Sequence, residues 1–175
     1  MRGAGKTTLV EELRRRLPDA LVFDPERVGC LLRDIVEVPT GDFQDLPLWR
    51  RQVAGPAVDL LEAYGRPVLV PMTLVDPRYA AEIFAGLQDA GASVHHFFLE
   101  VSPQELAHRI DARGVAPDDP ECSENARLWC RARIPECVAA LGTLPPDTVL
   151  LDGELPSRKL ADEVLAYVAG TGAAR

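Results

Sequence analysis

Short apolar runs alternate with amphipathic stretches along almost the whole chain. Four runs predict strands: ALVF (20–23), PVLVPM (67–72), VHHFFLEV (94–101) and TVLLD (148–152). Strands that are apolar on both faces are typical of parallel sheets covered by helices on each side. Strands joined by helices imply right-handed β-α-β crossovers. The sequence therefore predicts an α/β fold of three layers around a parallel sheet.

The stretches between these runs have helical periodicity and marked ends. Helices are predicted at 7–17, 25–36, 48–65, 77–91, 103–114 and 157–169. Asp24, Asp76 and Ser102 each precede a proline and supply a capping side chain. Pro56 is expected to bend or break the long helix. The last seven residues, 169–175, are expected to form a frayed tail.

The composition limits the class of protein. The chain has 175 residues, and we expect residues 1–175 to form a single domain. Its net charge of −8 argues against a general nucleic-acid-binding protein, which would present a basic face. No run of about 18 apolar residues occurs, so no transmembrane segment is predicted. The four cysteines form no Cys-x-x-Cys pair, which favours reduced thiols and a cytoplasmic location. The oligomeric state stays open.

The N-terminus carries the second half of a phosphate-binding loop. The full loop reads Gly-x-x-x-x-Gly-Lys-Ser/Thr, and here GAGKTT supplies its end. Glycines let backbone N–H groups surround a phosphate, and the following helix directs its positive end at the same group. The predicted nucleotide-binding residues are Gly3, Ala4, Gly5, Lys6, Thr7 and Thr8. Lys6 would bridge the β- and γ-phosphates of a nucleotide, and the Thr7 hydroxyl would hold Mg²⁺.

The strand and the first glycine of such a loop would stand before Met1. A short central strand contributes on the order of 10 kcal/mol of apolar burial. We therefore expect the natural protein to start upstream of Met1, with the first central strand missing from the chain as written. Without that strand, we expect the chain to be marginally stable.

Five stretches carry a resemblance to a known family. They are GAGKTT (3–8), VFDPERVG (22–29), DFQDLPLWR (42–50), VLVPMTLVDPRY (68–79) and VHHFFLEV (94–101). Through them the chain resembles the ATP-binding tunicamycin-resistance proteins of bacteria, which are close relatives of nucleoside-monophosphate kinases. The resemblance implies a P-loop kinase-like fold, ATP binding and resistance to a nucleoside antibiotic. A weaker match runs through Trp129, Cys137 and Asp152, and it assigns Asp152 to the nucleotide site.

The chain departs from this family at both ends. Family members have an apolar strand and a glycine before the loop, which are absent here. Some members extend further at the C-terminus with a segment suspected of touching a membrane, whereas this chain stops at Arg175.

Asp24 closes the strand ALVF (20–23), which is the second strand once the missing first strand is counted. The carboxyl edge of a parallel sheet faces the nucleotide in such folds, so this carboxylate could hold Mg²⁺ or accept a proton from an acceptor hydroxyl. The alternative is a helix cap before Pro25, and both roles are compatible. Asp76 has the same ambiguity, and there the cap is favoured.

The acceptor is predicted to bind in the region between the strands ALVF (20–23) and PVLVPM (67–72). The candidate substrate-binding residues are Asp42, Gln44, Trp49, Arg50 and Met72. Trp49 would offer a flat face to a base or sugar, or would cover the core instead. Arg50 would offer a fork to phosphate, or would be solvated instead.

Arg109 and Arg113 are four residues apart and share one helical face. They point toward a polar segment that resembles the lid of nucleoside-monophosphate kinases, placed at about 114–133, where arginines neutralise the transferring phosphoryl group. Arg109 and Arg113 are therefore candidate catalytic residues beside Lys6 and Asp24. Three further arginines would lie on the far side of the lid: Arg127, Arg131 and Arg133. A solvated basic face is the alternative.

Two adjacent histidines, His95 and His96, are interpreted as structural. Successive residues of a strand face opposite sides of the sheet, so these two cannot easily share a metal ion.

Three functions remain compatible with these residues. The first is Mg-ATP-dependent phosphoryl transfer to a small molecule such as a nucleoside antibiotic. The second is ATP-dependent sequestration of the antibiotic without catalysis. The third is a metabolite or nucleotide kinase.

Overall fold

The fold is described from a computed structural model, in residues 3–112 and 120–172. The chain divides into two compact units. One unit is Leu13–Val94, and the other combines Met1–Glu12 with His95–Arg175.

The unit Leu13–Val94 contains two strands and three helices, together with the end of a further helix. In chain order its elements are α1 (Lys6–Arg16, which starts in the other unit), β1 (Leu21–Val22), α2 (Pro25–Arg33), a 3-10 turn (Phe43–Asp45), α3 (Pro47–Tyr64), β2 (Val68–Leu69) and α4 (Pro77–Asp89). The strands β1 and β2 are parallel, with Leu21 opposite Val68. The pairing continues past β1, since the Phe23 N–H donates to the Leu69 carbonyl at 3.0 Å.

The core of this unit lies between α3 and α4. Its buried residues are Leu32, Trp49, Val53, Leu74, Ala80 and Ile83. Fully burying a side chain such as Val53 or Ile83 is worth about 1.5–3 kcal/mol. The 3-10 turn joins this core through Phe43, whose ring centroid lies 5.2 Å from that of Trp49. Gly29 makes room for Phe43, because a Cβ at Gly29 would lie 2.5 Å from the ring.

The other unit holds the second pair of strands. After the start of α1 its elements are β3 (Phe97–Glu100), α5 (Pro103–Asp111), α6 (Pro120–Ala132), α7 (Ile134–Ala139), a 3-10 turn (Ala140–Thr143), β4 (Val149–Asp152) and α8 (Ser157–Gly172). The strands β3 and β4 are parallel, with Phe97 opposite Val149 and Glu100 opposite Asp152. Its core contains Val101, Leu106, Ile110, Leu151, Leu160, Ala161 and Val164.

The predicted α/β class and the parallel strands are confirmed, and all six predicted helices are present. The described strands form two parallel pairs rather than one sheet, since each strand is only two to four residues long and pairs with one neighbour. The helix is not broken at Pro56, because α3 continues through it. Gly55 precedes this proline and has no side chain to crowd the ring. The predicted frayed tail was wrong in part, since α8 runs to Gly172.

Two findings concern expectations drawn from composition. Among residues 3–112 and 120–172, no helix is both long enough and apolar enough to cross a membrane. In the same part of the chain Cys30, Cys130 and Cys137 are unpaired thiols.

Candidate functional site

The GAGKTT segment forms a tight turn that leads directly into α1. Gly3 and Gly5 have φ angles of +111° and +89°, which L side chains rarely adopt. The helix begins at Lys6, and the Leu9 N–H donates to the Gly5 carbonyl at 3.0 Å. No acidic residue lies in the first turn of α1. The segment therefore presents glycine backbone and a positive helix end, which together suit an anion.

Helix α5 borders this segment within the same unit. A Cβ at Gly3 would lie 3.2 Å from Ile110 Cγ1, and a Cβ at Gly5 would lie 3.9 Å from Arg109 Nη1. The Arg109 guanidinium is thus next to the loop, as its predicted role in nucleotide binding requires. Arg109 Nε donates to Glu105 Oε1 at 2.6 Å, and Nη1 donates to the Gly153 carbonyl at 2.9 Å.

The residues at the end of β4 and after it form further hydrogen bonds in the same unit. The Asp152 carboxylate accepts from the Glu154 N–H at 3.0 Å, and Glu154 Oε1 accepts from the Ser102 N–H at 3.1 Å. Hydrogen bonding from Ser102 lowers the pKa of the Glu154 carboxyl. Gly153 has no room for a side chain, because an added Cβ would lie 2.9 Å from the Glu100 carbonyl oxygen and closer still to the Val101 side chain.

A cleft of about 400 Å³ opens at the carboxyl ends of β3 and β4. Ser102, Asp152 and Glu154 line it beside the apolar side chains Val138 and Leu141. Asp152, predicted at the nucleotide site, therefore lies in a concave surface, the usual setting of a small-molecule site.

The predicted lid is only partly described. Arg113 and residues 114–119 lie outside the described residues, so the predictions for them stay predictions. Each of the three later arginines has an acidic partner: Arg127 with Glu124 at 2.5 Å, Arg131 with Asp111 at 2.9 Å and Arg133 with Glu136 at 2.7 Å.

Asp24 lies at the carboxyl end of β1, in the unit Leu13–Val94. Its Oδ1 accepts from the Glu26 N–H at 3.0 Å, which confirms the cap of α2. Asp76 likewise caps α4, and its carboxylate pairs with Arg78 at 2.7 Å. The side-chain hydrogen bond from Arg78 is the main cause that lowers the pKa of Asp76 to about 2. The proposed role of Asp24 toward Mg²⁺ or a proton stays a prediction.

The predicted substrate residues lie in one region of the same unit. Asp42 caps the 3-10 turn by accepting from the Gln44 N–H at 3.0 Å, and Gln44 Nε2 donates to the Thr73 carbonyl at 2.9 Å. Met72 packs against the core. Trp49 is 1% exposed and its Nε1 donates to the Pro25 carbonyl at 2.9 Å. For Trp49 the structure favours the alternative that the indole covers the core.

Arg50 is largely buried, and its guanidinium has several partners within the protein. It is 8% exposed. Its Nε contacts Glu82 Oε2 at 2.5 Å, its Nη1 donates to the Gln44 carbonyl at 2.6 Å, and its guanidinium lies 4.3 Å from the ring centroid of Tyr79. The alternative of a solvated Arg50 was wrong, because α4 supplies both an anion and an aromatic face.

The two histidines are structural, as predicted. His96 Nδ1 hydrogen bonds to Thr148 Oγ1 at 2.9 Å, and the ring of His95 meets the ring of Tyr167 edge to face. They precede β3 instead of lying in it. The described residues contain no group of three or more His, Cys, Asp or Glu that could hold a metal ion. A Mg²⁺ held by ATP phosphates and one hydroxyl needs no such group, and Thr7 in the first turn of α1 fits that requirement.

Several residues of these sites were not predicted from the sequence. Glu105 could have been found, since it stands four residues before Arg109 on the same helix. Gly153 also had a signal, because it directly follows a predicted strand. Glu82 and Tyr79 meet Arg50 from a distant segment, and no local pattern marks that contact.

Comparisons with known proteins agree with this geometry. A family model described as AAA domain matches residues 1–136. The structure is similar to the Deinococcus radiodurans tunicamycin resistance protein, with a TM-score of 0.73 and 25% identity over 95% of this chain and 90% of that chain. It is also similar to an unliganded sugar kinase from Janibacter sp. HTCC2649, with a TM-score of 0.64 and 17% identity over 97% of this chain and 90% of that chain. The second likeness shows the fold alone. No curated protein matches the sequence. The predicted family resemblance and P-loop kinase-like fold are confirmed.

Proposed function

The chain belongs to the AAA domain family, and from this premise we propose that it binds Mg-ATP at Gly3–Thr8 and transfers a phosphoryl group to a small molecule. The similarity to a tunicamycin resistance protein makes a nucleoside antibiotic of the tunicamycin type the acceptor to test first. The comparisons support a nucleotide-binding, kinase-like protein, and the acceptor and the reaction are our proposal. We place this function in the cytoplasm, where ATP is supplied.

The observation that carries the proposal is the turn at Gly3–Thr8 with Arg109 beside it. Two left-handed glycines precede a helix whose first turn contains Lys6 and Thr7. Arg109 adds a second cation next to Gly5. Backbone N–H groups, a helix N-terminus and two cations form a site for a polyphosphate.

The residues of the loop have separate roles in this proposal. Lys6 would lie along the β- and γ-phosphates and would neutralise charge as it develops. The Thr7 hydroxyl would hold Mg²⁺, with Asp24 as a further candidate ligand. Mg²⁺ would supply charge neutralisation and orientation of the phosphates. Arg109, with Arg113 and Asp152, would complete the nucleotide site.

The acceptor would bind along Asp42–Arg50, with Met72 beside it. Its hydroxyl oxygen would form a bond to the γ-phosphorus of ATP while the bond from that phosphorus to the β–γ bridging oxygen breaks. The hydroxyl proton would pass to Asp24, and ADP would leave. Asp42 and Gln44 are the groups that we expect to contact the acceptor, and Trp49 would support the segment from the core.

One alternative has an observation in its favour. The similar structure is that of a tunicamycin resistance protein, and ATP-dependent sequestration of the drug would confer resistance as phosphorylation would. Turnover distinguishes the two, since an enzyme produces many product molecules per chain whereas a binding protein protects stoichiometrically.

The experiment is an assay of γ-phosphoryl transfer from labelled ATP to tunicamycin, with the product identified by mass spectrometry. The proposal predicts more than one phosphorylated drug per chain, strong loss of transfer in Lys6→Ala, and loss of transfer with retained drug binding in Asp24→Asn. Drug binding that requires ATP but yields no product would favour sequestration. A chain that neither binds nor modifies tunicamycin would refute the proposed acceptor.

A further inference from the structure

Arg50 is a nearly buried cation whose partners come from two separate segments. It is 8% exposed in the early part of α3. Glu82 of α4 supplies a carboxylate oxygen at 2.5 Å, and the ring of Tyr79 lies 4.3 Å away. A buried guanidinium is costly without such partners. The orientation of Arg50 is therefore set from α4.

The same guanidinium supports the segment that leads into α3. Arg50 Nη1 donates to the Gln44 carbonyl at 2.6 Å, within the segment Asp42–Leu46. Tyr79 has a second contact there, because its hydroxyl donates to Asp45 Oδ1 at 2.8 Å. This hydrogen bond is the main cause that raises the pKa of Tyr79. The ring face of Tyr79 thus contacts Arg50, and its hydroxyl holds the turn through Asp45.

The Gln44 side chain fixes the segment at a further point. Its Nε2 donates to the carbonyl of Thr73, in the stretch that follows β2. The segment is consequently tied to α3, to α4 and to the region after β2. A segment that is ordered before binding loses less conformational entropy when the ligand arrives.

We propose that Glu82 and Tyr79 are positioning residues, which act through Arg50 and Asp45 to hold the segment Asp42–Leu46 in the shape that binds the acceptor. This inference rests on the proposed function of that segment. Glu82 is 44% exposed on its side chain, so its pair with Arg50 is partly screened. Its loss would act through Arg50 on the geometry of the segment Asp42–Leu46.

The experiment compares Glu82→Gln and Tyr79→Phe with the parent chain. Glu82→Gln keeps the size of the side chain and removes its charge, and Tyr79→Phe keeps the ring beside Arg50 and removes only the hydroxyl bond to Asp45. Asp89→Asn is the matched control, since Asp89 is an exposed carboxylate at the end of the same helix. Two measurements are made on each chain.

The first measurement is hydrogen exchange of the amides of Gln44, Asp45 and Leu46 without any ligand. Each of these amides donates within the turn. Exchange is expected to quicken about fivefold in Glu82→Gln and Tyr79→Phe, which corresponds to about 1 kcal/mol of local opening. Asp89→Asn is expected to match the parent.

The second measurement is the calorimetric affinity for tunicamycin and, separately, for Mg-ATP. We expect Kd for tunicamycin to rise about tenfold in both variants, and Kd for Mg-ATP to stay unchanged. A residue that acts only on global stability would not raise Kd for tunicamycin while leaving Kd for Mg-ATP unchanged.

The two proposals can fail separately. Unchanged exchange in both variants overturns the positioning roles, whatever the parent binds. Faster exchange with unchanged tunicamycin affinity overturns their relevance to the acceptor. If the parent binds no tunicamycin, the proposed acceptor is refuted, and the exchange rates alone decide whether Glu82 and Tyr79 hold the segment. If Glu82→Gln does not fold, Tyr79→Phe decides, because it removes a single oxygen.

Discussion

An added methyl group at Gly153 is expected to destabilise the fold beside the predicted nucleotide site. It directly follows β4, and its N–H donates to the Glu100 carbonyl at 2.7 Å. A Cβ would lie 2.9 Å from that same carbonyl oxygen, 3.2 Å from Leu99 Cβ, and closer still to Val101. The backbone cannot retreat from the oxygen without lengthening its own hydrogen bond. Gly153→Ala therefore combines overpacking with a strained backbone contact.

The expected cost follows from these contacts. Inserting a methyl group into a packed site costs about 1–3 kcal/mol. For a chain of this length each kcal/mol lowers Tm by about 2–4 °C, so a loss of about 2 kcal/mol gives about 4–8 °C. The affinity for ATP should also fall, because the Gly153 carbonyl holds Arg109.

The assay is a thermal melt of both chains, followed by calorimetric titration with Mg-ATP. Gly170→Ala is the matched control, since Gly170 lies in α8 and a Cβ there meets no atom within 4 Å. That control is expected to stabilise the chain by up to about 1 kcal/mol through helix propensity. A Gly153→Ala chain that melts and binds like the parent would refute this packing argument.

Two further predictions concern the same unit. Glu105→Gln removes the charge that holds Arg109 Nε, so the affinity for Mg-ATP should weaken several-fold. Stability should fall by about 0.5 kcal/mol, since the pair is partly exposed and lies four residues apart on one helix. Calorimetry and urea melts measure these effects, and unchanged ATP affinity would count against the role of Glu105. Burial lowers the pKa of His96 below 6.5, while the Asp147 carboxylate acts in the opposite direction. As pH falls, His96 therefore takes up a proton in the unfolded chain before it does so in the folded chain. Its contribution to stability is complete above pH 6.5 and decreases as pH falls toward its folded pKa. The stability difference between the parent and His96→Asn should therefore change between pH 7.5 and 5.5 in urea melts, and a constant difference would contradict the assignment.

Local signals in the sequence predicted much of this fold. The pairs Asp24-Pro25, Asp76-Pro77 and Ser102-Pro103 each mark a helix start, and each side chain caps its helix in the structure. Such caps depend on neighbours two or three residues away, so the sequence contains all that they need. The same holds for the turn before Lys6, where glycines supply the required φ angles.

Contacts between distant segments could not be predicted from the sequence in this way. Trp49 is compatible with a ligand platform or a core residue, and only the packing of α3 against α4 decides for the core. Arg50 and Glu82 are 32 residues apart, and no spacing rule links them. The course of α3 through Pro56 also depends on packing around the helix, which outweighs the intrinsic cost of one proline. Tertiary contacts therefore determine the structure around Trp49 and Arg50, whereas local chemistry determines the structure of the loop.

The central claim is that Gly3–Thr8 binds Mg-ATP, and calorimetric titration of Lys6→Ala beside the parent chain tests it most directly. Lys159, the other lysine of the chain, is exposed in α8, and Lys159→Ala is the matched control. We predict that the parent and Lys159→Ala bind Mg-ATP alike and that Kd rises at least about tenfold in Lys6→Ala, a loss of about 1.4 kcal/mol. Equal Kd values in all three chains, or no binding by a folded parent, would contradict the account.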